Sequence, residues 1–154
     1  MKKYCKEDQK ELAIWAIKCV ERILPLFERA YPTDVRPRKA LETCKEWIRT
    51  GDFKMSVIRG ASLSAHAAAR DVKENIVAFN VATAHVPQHA FGVFYALRAI
   101  AAEYSENAEE RVMEEYNWQA QNISKHLKDE YLKRVVVKKR KNGLFITIQK
   151  DKDF

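Results

Sequence analysis

Apolar residues recur every three to four positions through most of this chain, which is the period of helices packed by one face. From about Lys6 to Arg29 the stripe is Leu12, Trp15, Ala16, Cys19, Ile23, Leu26 and Phe27, with a second stripe at Ile14, Ile17, Val20 and Leu24. A helix apolar on two faces predicts a central position. Pro25 inside it, unable to donate to the carbonyl of Glu21, predicts a kink. A turn at Tyr31-Pro32-Thr33-Asp34 leads to a second helix that starts at Pro37, packs by Ala40, Leu41, Cys44, Trp47 and Ile48, and stops at Gly51. Asp52 is placed to cap a third, whose face is Met55, Ile58, Ala61, Ala65, Ala69 and Val72. Its flanking small residues predict close backbone approach to a neighbour.

Residues 75–84 read as a fourth helix, interrupted by Pro87 because the preceding residue is pushed out of helical dihedrals. A fifth runs from about Pro87 to Tyr104. A sixth starts near Asn107, where Glu110 suggests a capping box, and carries one stripe from Val112 through Tyr116, Ala120, Ile123 and Leu127 to Tyr131. The period then changes. Residues 134–150 form two β-prone runs about Asn142-Gly143, a strong hairpin signal, with Val135, Val137, Leu144, Ile146 and Ile148 on one face. The fold expected is all-α, a compact array of about six helices over residues 1–134, with a basic β-hairpin over 135–154 appended to the same domain. An isolated hairpin is marginal in water, so its apolar face should dock on the helices with the basic side chains outward.

Composition agrees with this pattern, since Gly and Pro number only four each among 154 residues. The formal charge of +7 alters the picture only through its location. Residues 133–154 hold eight Lys or Arg against two Asp, while residues 1–132 hold twenty basic against nineteen acidic groups. A neutral body with a basic tail argues against nucleic acid as the principal partner. No run of about eighteen apolar residues is present, so no membrane partner is expected, and nothing resembles a secretory signal, which points to the cytoplasm. Cys5, Cys19 and Cys44 are odd in number and lack metal-pair spacing, as reduced thiols would be.

The candidate chemistry is sparse. His66, His85 and His89 could supply three nitrogens to a metal, as in a metal-dependent helical hydrolase, but Pro87 separates two of them and no carboxylate stands at matching helical spacing. Structural, hydrogen-bonding histidines are the preferred reading, with no cofactor. Cys19 and Cys44 lie in apolar stripes where a thiol is inert, and the pairs Glu109-Glu110 and Glu114-Glu115 read as solvated helix faces. Arg36, Arg38 and Lys39 gather at a helix N-terminus, against the helix dipole, as if to hold a partner, a phosphate or carboxylates of the same fold. Arg38 and Arg70 could each anchor a helix. Trp118 stands off its helix's main stripe, so it either faces outward or meets another helix. With these, the tail residues Lys139, Arg140 and Lys141 complete the set of candidate partner-binding groups.

Several ordered segments together resemble a known family. They are Leu12 to Ala16, Leu24 to Phe27, Arg36-Pro37-Arg38-Lys39-Ala40-Leu41-Glu42 with Trp47, the run from Ser64 through His66 to Arg70, the run from Ala82 through His85 and His89 to Ala90, Tyr95-Ala96, and Trp118-Gln119. This distribution, over most of residues 12–130, is similar to the immunity-five-like family of immunity proteins from bacterial toxin systems. The family pattern favours a Leu-Pro pair soon after the Trp-Gln position, where this chain has Asn122-Ile123-Ser124 and reads as continued helix. The resemblance implies an all-helical protein that acts as antidote to a cognate protein toxin, without catalysis. It makes Trp47, His66, Arg70, His85, His89 and Tyr95 motif residues with structural roles. The rivals are the metal-dependent hydrolase and a nucleic-acid-binding module acting through the basic tail.

Overall fold

The computed structural model describes residues 4–52, 54–71, 92–141 and 143–149. Among them stand six helices and one hairpin: α1 (Lys6–Ala30), α2 (Arg36–Thr50), α3 (Met55–Asp71), α4 (Phe94–Glu103), α5 (Ala108–Asn122), α6 (Lys125–Arg134), β1 (Val135–Arg140) and β2 (Gly143–Ile148). The fold is mostly helical with a C-terminal hairpin, as the hydrophobic pattern predicts. The predicted helix over 75–84 lies outside the described residues, as do His85, Pro87 and His89.

The two apolar stripes of α1 do place it centrally. Leu12, Trp15, Ala16, Ile17, Cys19, Val20, Ile23, Leu24 and Phe27 are buried, and the helix packs against α2 and α4 and reaches α5 and α6 through side chains. The outlier of its second stripe is Ile14, which stays exposed. The helix runs through Pro25 without ending. Cys5 caps its start, the Asp8 N–H donating to Sγ at 3.3 Å. The boundaries of α2 follow the sequence signals: Pro37 in the first turn, and Gly51 at φ 72°, where a side chain would be strained, past the last. Asp52 is not the cap of α3, which begins only at Met55; its carboxylate holds Lys54 Nζ at 3.0 Å.

Two boundaries differ from the sequence reading. The fifth predicted helix begins at Phe94 rather than near Pro87, because Gly92 and Val93 form a turn whose carbonyls accept the Tyr95 and Ala96 N–H groups. The sixth is two helices, broken at Ile123 and Ser124, both extended at ψ 150° and 138°. Ile123 remains buried across the break, so the apolar period continues while the backbone does not. The break is held from outside: the Ser124 hydroxyl donates to Glu11, and His126 Nε2 lies 2.8 Å from Asp8 Oδ1, tying the start of α6 to the start of α1. Asn107 forms no side-chain cap on α5; Glu109 and Glu110 in the first turn complement its dipole instead.

The hairpin pairs Val135 with Ile148, Val137 with Ile146 and Lys139 with Leu144, which puts the predicted apolar set on one face. That face docks on the helices: Val135 and Ile146 are buried, and Val137, Leu144 and Ile148 pack against the core. Arg140 stands opposite Gly143, so this glycine, at φ 113°, is already the first residue of β2.

Candidate protein interface

The interior beneath the candidate surfaces is organised by a polar network. Gln119 is fully buried on α5. Its amide nitrogen donates to Glu115 Oε1 at 3.1 Å, its amide oxygen accepts from the Tyr131 hydroxyl at 3.0 Å, and its main-chain oxygen accepts from Trp15 Nε1 at 3.0 Å. Glu115 therefore departs from the solvated face its pairing with Glu114 suggests. It is buried, and Arg22 of α1 donates to its second oxygen at 2.8 Å. Burial raises the Glu115 carboxyl above its ordinary value, against the lowering effect of its bonds to Arg22 and Gln119. The Arg22 guanidinium also lies 4.1 Å over the Trp118 ring, so Trp118 meets α1 and is half-buried.

Arg36 and Arg38 at the start of α2 take carboxylates of their own fold. Arg36 Nε and a terminal nitrogen hold both oxygens of Asp34 at 2.9 and 2.6 Å, while the other terminal nitrogen meets Asp71 at the end of α3 at 2.7 Å. Asp34 also accepts the Arg36 main-chain N–H, which brings negative charge to a helix start whose own residues are basic. Those bonds lower the Asp34 carboxyl below its ordinary value. Arg38 makes a two-pronged contact with Glu28 at 2.7 Å in each prong, joining α2 to the last turn of α1. Lys39 is exposed at the rim of an open groove of about 660 Å³ between α2 and the start of α3, which Trp47, Asp52, Lys54 and Val57 also line.

Among the family-motif residues, His66 sits half-buried in α3, and Tyr95 packs its ring against Phe94 at 4.2 Å between centroids. Arg70 lies in the last turn of α3, with its side chain outside the described part. Among the described residues no group of three His, Cys, Asp or Glu side chains could hold a metal, and no helix is long and apolar enough to cross a membrane. Cys19 and Cys44 are buried, and burial pushes the Cys44 thiol up to about 11, which disfavours the nucleophilic thiolate.

The hairpin is anchored along both edges. The Arg134–Gln149 pair exchanges a main-chain bond at 2.8 Å, so alternation points the carbonyls of Val135 and Ile146 away from the partner strand. Helical side chains meet both: Tyr116 of α5 donates to Val135 O at 3.2 Å, and Arg98 of α4 donates twice to Ile146 O, at 2.9 and 2.7 Å. The basic side chains divide by the same alternation. Lys139 shares the face of Val137 and Leu144 by alternation yet remains exposed, and it pairs with Glu109 at the start of α5. Lys138 and Arg140 point away from the body, and Lys141 follows at the tip. Phe145, which sequence reasoning left out of the candidate set, shares that outer face. The signal for it was present, since Phe145 alternates with Leu144 and Ile146 and so cannot join their stripe.

The basic groups of α2 are thus built on α1, α2 and α3, and those of the hairpin on α4, α5 and α6. No curated protein and no solved structure matches the chain. A family model does, over residues 2–126, which include the central helix, the Arg36 to Glu42 segment and the Glu115–Gln119 network but not the hairpin. The chain belongs to the Imm-5 like putative immunity protein family.

Proposed function

We propose that this protein neutralises a cognate bacterial protein toxin in the cytoplasm, by covering its active surface or holding it in an inactive complex. Family membership across residues 2–126 carries this reading. Such a task requires a rigid, complementary surface and no bond-making chemistry. In keeping with it, Arg36 and Arg38 at the start of α2 hold carboxylates that fix α2 to α3 and α1. We also take the hairpin to fold as part of the helical unit, since Ile146 and Val135 belong to its core. The test is co-expression of the tagged chain with a candidate toxin taken from the genes that flank its own. Co-elution of the two in gel filtration at micromolar concentration is expected; separate elution at that concentration would reject the proposal.

A further inference from the structure

The outer face of the hairpin carries charge that meets no carboxylate among the described residues. Elsewhere the guanidinium groups of Arg22, Arg36, Arg38 and Arg111, and the ammonium groups of Lys45 and Lys139, each lie against a carboxylate. Among the described residues no carboxylate stands within ion-pair distance of Lys138, Arg140 or Lys141, and all three are exposed. Strand alternation puts Lys138 directly opposite Phe145. The Arg140 guanidinium lies 3.8 Å over the Phe145 ring, which is itself 37% exposed, so one aromatic surface is framed by cations.

We infer that Lys138, Arg140 and Lys141, arranged around Phe145, form a docking surface for an acidic protein patch with an apolar centre, and that the toxin presents this patch. The second half of that statement rests on the immunity reading. Charge complementarity selects the occupant. A protein interface joins an aromatic anchor to a charged rim, and that is the composition of this face. Duplex or single-stranded nucleic acid is the poorer fit, because its backbone demands a track of cations, whereas the basic run here spans roughly 10 Å of strand and the body beyond it is neutral. The strands that carry the face are held before binding, by Arg98 on one edge and Tyr116 on the other, so the ordering cost of association falls on the side chains and not on the backbone.

The probe is a fluorescein-labelled peptide of alternating Glu and Leu, with a labelled short DNA duplex as competitor class, followed by anisotropy at low and high salt. K138E/R140E/K141E is compared with K10E/K18E/K125E, which makes the same change in net charge on exposed lysines of α1 and α6. Circular dichroism confirms that both fold. The hairpin variant should bind the peptide about tenfold or more weakly and Phe145→Ala about threefold more weakly, with less than a twofold change in the control. Equal losses in the two triple variants, or tighter binding of the DNA than of the peptide, would overturn the assignment. Growth rescue against the candidate toxin separates this inference from the immunity reading. Rescue by the parent and equally by the hairpin variant refutes the surface and leaves immunity intact. No rescue by the parent, with the peptide discrimination preserved, refutes immunity and leaves the surface as an acidic-protein dock.

Discussion

Gln119 and Tyr131 meet at 3.0 Å across the break between α5 and α6, amide oxygen to phenolic hydroxyl. The contact fixes both groups. It sets which way the Gln119 amide points, hence that its nitrogen faces Glu115, and it satisfies a hydroxyl that is otherwise shut away from water. Gln119→Leu keeps the volume roughly constant but strips the Tyr131 hydroxyl and one Glu115 oxygen of a partner. A loss of about 2–4 kcal/mol in urea unfolding is expected. A change of less than about 0.5 kcal/mol would show that the network is not a structural requirement.

Glu115 gives the fold a specific pH dependence. Its folded-state carboxyl titrates above the unfolded one because burial outweighs Arg22 and Gln119, the polar groups bonded to it, while Tyr131 and Cys19 lie close by. Its contribution to stability is therefore full below the unfolded carboxylate range and declines as pH rises through the raised folded value. Glu115→Gln cannot ionise. The stability of the variant relative to the parent should rise as pH increases above the ordinary glutamate range, measured by denaturant midpoints from about pH 4 upward. A difference that stays flat, or that falls with pH, contradicts the assignment of burial as the dominant influence.

Arg98 predicts the attachment of the hairpin. Arg98→Lys retains the charge but not the fork that donates twice to Ile146 O, and Arg98→Ala removes both. Each should destabilise by about 1–3 kcal/mol, the charged variant less. Hydrogen exchange of the β2 amides should quicken while α1 amides stay protected; uniform acceleration throughout would mean that Arg98 acts on the whole fold.

Truncation after Arg134 removes the hairpin and uncovers the surface of α4 on which β2 packs and the Tyr116 hydroxyl of α5 that meets Val135 O. The shortened chain should keep its helical circular dichroism and melt lower by about ten degrees or more, about what a loss of 3–5 kcal/mol gives a domain of this size, since two buried apolar side chains and the Arg98 and Tyr116 contacts go together. Loss of the helical signal itself would make the hairpin a condition of folding rather than a cover.

The parts legible in the sequence are those in which local chemistry and tertiary environment agree. Pro37 and Gly51 bound α2 in the sequence and in the structure, and two-residue alternation placed Ile146 inward and Lys138 outward. The illegible parts are those in which a distant group decides. The stripe from Val112 to Tyr131 conceals the break at Ile123 because Ile123 stays buried, while the groups that hold the break, Glu11 and Asp8, belong to α1. Asn122 and Ser124 were its only local signals. Glu115 beside Glu114 reads as solvated until Arg22 is known to cover it. Arg36 and Arg38 illustrate the same limit at the candidate surface, since a basic cluster at a helix start has one meaning when free and another when Asp34, Asp71 and Glu28 already occupy it.

Neutralisation of a toxin is the central claim, and growth measures it most directly. Cells expressing a candidate toxin from a flanking gene, one that arrests growth when expressed alone, are grown with and without this protein induced, beside the Gln119→Leu variant as a weakened-fold control. Restored growth with the parent, reduced with the variant, is the predicted result. Continued arrest with the parent, present as folded protein at levels equal to or above those of the toxin, would contradict the account.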